Sequence, residues 1–227
     1  MSGKNNKHSL AIESAVADGS VALICNGGER VVTKHGEGCS RAEKLILVIT
    51  DLVREANLTL ADLDTIAVSV GPGSYSGIRI GLSTALGLSH ALNIPCVGVS
   101  VLDSLSFAAA PAETVIAAVP VGKNDVAWQP FEVKEGGARS TLAVPRLLPA
   151  ASFVNELERH PGAALFAQTD LLKNLTDRLP DSTPTFDAGV GLAEFVGRFA
   201  LSAPTSDTRL RPIYLSNREP IVASSSI

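Results

Sequence analysis

The chain has 227 residues, 45% of them hydrophobic and 19% charged. That is enough apolar material for one large domain or two lobes, and too little charge for a disordered chain. A net charge of −4 argues against tight, direct binding to a nucleic-acid backbone, which calls for a basic face. The odd set of three cysteines, Cys25, Cys39 and Cys96, with no C-x-x-C pair, fits a reducing compartment; with no apolar run of about 18 residues, no membrane span is expected and a cytoplasmic location is.

Ser9–Glu13, Ser20–Cys25 and Glu29–Lys34 read as three antiparallel strands. Ala17-Asp18-Gly19 and Asn26-Gly27-Gly28 join them, the second being a hairpin signal because its residues tolerate positive φ. Ser40–Asn57 reads as a helix, with Ser40 and Glu43 spaced as a capping box. Its apolar residues Leu45, Ile46, Leu47, Val48, Ile49, Leu52, Val53 and Ala56 cover more than one face. Such a helix is either buried on both sides within its own subunit or meets a partner.

After a short turn at Leu60–Leu63, the β-branched run Thr65–Val70 reads as a buried strand. It stops at Gly71-Pro72-Gly73, and a helix over Ser76–Leu92 follows, with Ser74 or Ser76 as its cap. Gly77, Gly81 and Ala85 recur every fourth position, which keeps them on one face and lets another backbone come close. Three readings of this turn and helix stay open: a phosphate seat at a helix start, a seat for a partner, or a plain strand-to-helix turn with tight packing behind it. The glycines lack a Walker-type lysine, and their spacing is not the dinucleotide fingerprint. Cys96–Val99 is the next strand, and Ser100–Ala110 a helix with Ser100 as cap and Asp103 in its first turn.

The second half is less regular. Strands are expected at Thr114–Val121, Asp125–Val133, Ser140–Val144, Ala163–Ala167 and Thr183–Phe186, with a turn at Gly136-Gly137. Pro130 marks Asp125–Val133 as an edge strand. Helices are expected at Ala150–Glu158, Thr169–Arg178 and Gly189–Leu201, and the tail from Leu210 to Ile227 ends in a serine-rich, frayed segment. The opening order β-β-β-α-β-α-β-α is the half-unit of the actin-like, Hsp70-like ATPase (ribonuclease H-like) fold. The expected α/β architecture is therefore two lobes, each a mixed sheet with flanking helices. Residues 1–102 form the first, and 103–227 a smaller second lobe whose tail is free to return to the first.

Catalytic chemistry is hard to find. His8, His35, His90 and His160 are not spaced as a helical metal pair. Ser74 lies in G-S-Y-S-G with no His or acid to activate it, and reads as a cap. Glu13, which closes the first strand, is a lone acid at a suggestive place.

The stretch from Leu58 to about Leu105 contains V-G-P-G-S-Y-S-G-I-R-I-G-L-S-T-A-L-G-L-S-H-A-L-N-I-P-C-V-G-V-S-V-L-D-S-L. It resembles the signature of the TsaB (YeaZ) family, whose usual form is close to G-P-G-S-F-T-G-L-R-I-G, a small-residue helix, then N-I-P-x-x-G-V-S-S-L. The opening strands and Pro212 to Leu215 fit more loosely. The resemblance implies an actin-like fold without transferase activity of its own. It implies a catalytic paralogue, TsaD, which transfers a threonylcarbamoyl group to N6 of adenosine 37 in tRNAs that read ANN codons, and a small ATPase, TsaE, in the same assembly. The implied partner surface is the helix pair Ser40–Asn57 and Ser76–Leu92, packed as a four-helix bundle. Leu45, Ile49, Leu52, Val53, Gly77, Ile78, Gly81, Ala85 and Leu88 are its expected contact residues, and the same face would drive a homodimer when the chain is alone. No cofactor or metal of its own is expected, ATP enters only at the level of the complex, and tRNA is met through the complex.

The chain departs from the family's pattern in three places, and the T-S and D-A-R losses weaken a nucleotide-binding reading. Ala11-Ile12-Glu13-Ser14-Ala15 stands for the family's A-I-D-T-S, Cys39-Ser40-Arg41 for H-S-E, and Pro120-Val121-Gly122 for D-A-R. The H-x-x-x-H metal pair of the catalytic paralogue is missing. The competing reading is an actin-like ATPase or small-molecule kinase, in which Glu13 and the Gly71–Gly77 turn, with Gly73 and Ser74, would hold metal and phosphates.

Overall fold

A computed structural model describes residues 7–36, 38–108, 112–134, 138–202 and 210–216. The expected turn at Gly136-Gly137, the last two residues of the expected helix Ser100–Ala110, and the tail beyond Ser216 lie outside them.

The first sheet holds five strands: β1 (Ser9–Glu13), β2 (Ser20–Cys25), β3 (Arg30–His35), β4 (Thr65–Ser69) and β5 (Cys96–Val99), in the order β3-β2-β1-β4-β5. The first three are antiparallel, with Ala11 opposite Ala22, and β4 and β5 run parallel to β1. Alternation along the strands separates two faces. Leu10, Ile12, Val21, Leu23, Ile66 and Val68 fill one core, beneath α1 (Ala42–Glu55) and α2 (Tyr75–Leu92). Ala11, Ala22 and Ala67 line the other. The capping box expected at Ser40 and Glu43 does not form: Arg41 is the residue before α1 and makes no side-chain cap bond. The capping box that does form joins Thr59 and Asp62, with the Thr59 N–H donating to Asp62 Oδ2 at 2.7 Å.

The second sheet repeats the plan. Its strands are β6 (Thr114–Val121), β7 (Asp125–Val133), β8 (Arg139–Thr141), β9 (Arg146–Pro149), β10 (Ala164–Ala167) and β11 (Thr185–Asp187), in the order β11-β10-β6-β7-β8, with β9 also on β7. Helices α4 (Ala150–Leu157) and α5 (Thr169–Leu175) flank it. Against expectation, β7 is an interior strand, paired with β6 on one side and with β8 and β9 on the other. Pro130 is tolerated because its outer neighbour is interrupted there. The Leu142 N–H donates to Pro130 O at 3.0 Å, so the proline nitrogen also points outward, into the gap between β8 and β9. Gln129 Nε2 closes that gap by donating to Ala143 O at 2.9 Å. Of the expected strand Ser140–Val144 only Ser140 and Thr141 are strand, in β8, and β9 lies beyond it, where no strand was expected.

The helices that end each half exchange lobes. Helix α3 (Val101–Ala108) follows β5 yet packs on the second sheet, with Val101, Leu102 and Leu105 among Val115, Val119 and Phe131. Helix α6 (Ala193–Ser202) follows β11 yet lies on the alanine face of the first sheet. Gly197 makes this possible: a Cβ there would come within 2.9 Å of the Ala11 Cβ. The Ala193 N–H donates to the buried Ser20 Oγ at 2.9 Å, fixing the start of α6 to β2. The boundary expected at residue 102 therefore falls inside α3. The architecture is the two-lobed, actin-like one expected from the element order.

Candidate functional site

The Gly71–Gly77 turn is built to pack. Ser74 is the cap of α2, its Oγ accepting from the Gly77 N–H at 3.3 Å. The Gly71 N–H donates to Ser69 Oγ at 3.2 Å, and the Ser74 N–H to Ala15 O at 2.7 Å. Three N–H groups of the turn thus already have acceptors within the chain. Gly71 has φ of +100°, and a Cβ on it would meet Ile213 O at 2.8 Å. The Leu210–Ser216 segment crosses the turn here: the Ile213 N–H donates to Val70 O at 2.7 Å, and the Tyr214 ring lies 4.9 Å from that of Tyr75.

The row of small residues on α2 has an occupant inside the chain. A Cβ on Gly73 would stand 2.5 Å from Ala15 O, one on Gly77 would overlap Ser14 O, and one on Gly81 would overlap Ser14 Oγ. Ser14 Oγ donates to Gly77 O at 2.8 Å. The close backbone approach expected from the four-residue spacing is real, and it is made by the turn after β1.

The nine residues expected to touch a partner, Leu45, Ile49, Leu52, Val53, Gly77, Ile78, Gly81, Ala85 and Leu88, are all buried. They form the floor of both helices against the first sheet, so no partner can reach their side chains. The solvent faces carry other residues: Ile46 (39% exposed) and Leu47 (62%) on α1, and Tyr75 (58%) and Leu86 (48%) on α2. Arg79, Ser83, Gly87 and His90 complete the outer stripe of α2. The signal was present in the sequence. Leu45, Ile49, Leu52 and Val53 already make a complete i, i+4, i+7, i+8 stripe, and Ile46 and Leu47 are what it leaves over.

Between the lobes, Glu13 is buried to 1% exposure. Its Oε1 accepts from the N–H groups of Ala15 (2.7 Å) and Val16 (3.0 Å), and its Oε2 is buried with no partner among the described residues. Burial pushes this carboxyl up to about 7, against the lowering effect of the two N–H bonds. Val16 sits in one apolar cluster with Leu102, Val119, Ala188 and Leu192, so hydrocarbon fills the place next to Glu13. Asp103, in the first turn of α3, is also raised by burial, and its N–H donates to Ser100 Oγ at 3.4 Å. No group of three or more His, Cys, Asp or Glu side chains suited to a metal occurs among the described residues. Cys25 and Cys39 are buried thiols and Cys96 is half-buried, with burial pushing Cys96 up to about 11. None of the described helices is long and apolar enough to cross a membrane.

Comparison with known proteins adds a family. The model of TsaD, tRNA N6-adenosine threonylcarbamoyltransferase, matches residues 38–158, more than half of the chain. The tRNA threonylcarbamoyladenosine biosynthesis protein TsaB of Escherichia coli is 32% identical over 133 residues, covering 56% of this chain and 56% of that one. The tRNA N6-adenosine threonylcarbamoyltransferase of Bacillus subtilis is 35% identical over 115 residues, 44% of this chain and 33% of that one. The chain spans about half the length of the TsaB relative it matches, and less of the transferase. Among solved structures, YeaZ from Pseudomonas aeruginosa superposes with a TM-score of 0.66 at 24% identity, over 92% of this chain and 100% of that one. At that identity the likeness speaks for the fold.

Proposed function

The chain belongs to the TsaB/YeaZ branch of the TsaD family, and from that premise we propose that it is a non-catalytic scaffold in tRNA threonylcarbamoyladenosine biosynthesis. It binds a TsaD-type transferase and supports transfer of the threonylcarbamoyl group to N6 of adenosine 37 in tRNAs reading ANN codons. The chain has no cofactor of its own, ATP enters with a TsaE-type ATPase, and tRNA is met through the complex. One observation carries this reading: the outer sides of α1 and α2 expose Ile46, Leu47 and Leu86, although both helices already bury a full apolar face. A second pair of helices laid across them would cover those side chains. The filled space around Val16 and the occupied Oε1 of Glu13 weigh against the ATPase alternative.

Light scattering after size exclusion, on the chain alone and mixed with the transferase paralogue of the same organism, tests this. A stable mixed complex is expected. Leu47→Asp and Leu86→Asp should each abolish it while leaving the fold intact, since both side chains are solvent-facing. A chain that ignores the paralogue, or variants that bind it normally, would overturn the reading.

A further inference from the structure

Glu13 stands where three parts of the molecule meet. The turn it holds, Ser14 to Val16, gives Ser14 and Ala15 to α2 and Val16 to the core of the second lobe. On the sheet, Glu13 is opposite Ser20, whose Oγ anchors the start of α6. A neutral carboxyl is the less costly form here, because Oε1 can accept from both N–H groups as a carbonyl oxygen does and only one uncharged O–H, on Oε2, goes without a partner among the described residues. A carboxylate costs more, because its second oxygen has no donor and burying a charge without one is costly. The accessible way to solvate Oε2 is to open the turn. Opening it releases the Ser74 N–H from Ala15 O, the Gly77 carbonyl from Ser14 Oγ, and Val16 from the second lobe.

We propose that Glu13 is a proton-operated latch. In its neutral form it closes the Ser14–Val16 turn onto α2 and the second lobe, and in its ionised form it loosens that turn and with it the α2 face offered to a partner. The surrounding ionisable groups do not offset the charge. Burial raises the Cys39 thiol, on the loop before α1; the Glu13 carboxylate raises it further, Lys34 of β3 lowers it and Asp18 of the β1–β2 turn raises it. α6 carries Glu194 and Arg198, bonded to each other at 2.8 Å, and α3 carries Asp103. α2 meets the turn with its glycines and Ser74.

The direction follows from linkage. The native carboxyl holds its proton to a higher pH than the unfolded chain does. The latch therefore contributes fully below the ordinary 4.5 and is lost as pH rises through about 7.

The first readout is the titration of the Glu13 side-chain carboxyl in the whole chain, followed by carbon-13 NMR. A midpoint near 7 is expected, and one near the ordinary carboxylate value overturns the latch. The second is amide exchange at Val16, Ser74 and Gly77, corrected for intrinsic base catalysis. Opening should rise about tenfold from pH 6 to pH 8 and stay flat in Glu13→Gln; an equal rise in Glu13→Gln, or none in the wild type, overturns it. Should Glu13→Gln not fold, the wild-type titration and exchange still decide. Neither readout depends on the proposed partner. Binding of the transferase paralogue, weaker at pH 8 than at pH 6, extends the latch to the complex. A chain that never binds the paralogue but shows the exchange change retires the scaffold reading and keeps the latch.

Discussion

The two lobes share one strand order, and their helices separate them. In the first lobe the crossover helices have 14 and 18 residues; in the second they have 8 and 7. The short helices bury what they have, with Phe153, Val154, Leu157, Leu171 and Leu175 turned inward and Ala151, Ser152, Asn155, Lys173 and Asn174 left outside. The long helices bury a full face and still carry Leu47 and Leu86 to solvent. The second lobe exposes its own large apolar side chains elsewhere, at Leu142 and Val144 between β8 and β9. Two copies of one architecture thus differ in what they offer the outside, and that difference lies in helix length and surface composition.

The comparison breaks most visibly at the glycine row, which has no counterpart on α4 or α5. Gly77→Val is expected to unfold the first lobe, at a cost above about 5 kcal/mol, because its side chain would occupy the position of Ser14 O. Circular dichroism on heating reads this, and a normal melt would show that α2 can lift off the turn. The matching lesion in the second lobe is Phe153→Ala, expected to cost about 4 kcal/mol through the cavity it leaves. Phe153 is fully buried, with its ring 5.8 Å from that of Trp128. Trp128 is the only tryptophan of the chain, so its fluorescence reports this lobe directly.

The exchanged helices decide whether such losses stay local. Because α3 lies on the second sheet and α6 on the first, Trp128 fluorescence and far-ultraviolet circular dichroism should follow one transition. Ser20→Ala loosens that tie by leaving the Ala193 N–H without its acceptor. It should cost about 2 kcal/mol and split the two signals. Coincident signals in this variant would mean that apolar packing of α6 alone holds the lobes together.

How far the sequence could be read tracks how local each signal is. The strands of the first sheet, the Ser74 cap and the close approach on the Gly77–Gly81 face follow from neighbours a few residues apart, and all formed. β9 was missed, and β7 was placed at an edge, because a proline's tolerance depends on a gap in the strand beside it, which sequence does not display. The nine residues expected to touch a partner turned out to be the inner, buried ones of α1 and α2. An apolar helix has two candidate faces, and only the position of the sheet says which one is spent. The return of α6 to the first sheet rests on small residues far apart in sequence, Ala11, Ala22, Ala67 and Gly197, none of which signals the others.

The strap over the first lobe offers the smallest and most discriminating test. Residues Leu210–Ser216 meet the Gly71 turn by a backbone bond, from the Ile213 N–H to Val70 O, and by a ring contact, Tyr214 on Tyr75, and Leu210 and Ile213 pack on the first core. Tyr75 in turn has the Arg79 guanidinium 5.2 Å from its ring centre, on the outer stripe of α2. Tyr214→Ala removes the ring and keeps the backbone bond. Both rings are about half exposed, so the loss should be about 1 kcal/mol, a fall in Tm of about 3 °C for a chain of this size. A fall several times larger would make the strap a structural member of the first lobe, on a par with α6. An unchanged Tm together with weaker binding of the paralogue would instead add Tyr214 to the proposed partner surface at Leu47 and Leu86, extending it from the two helices onto the returning tail.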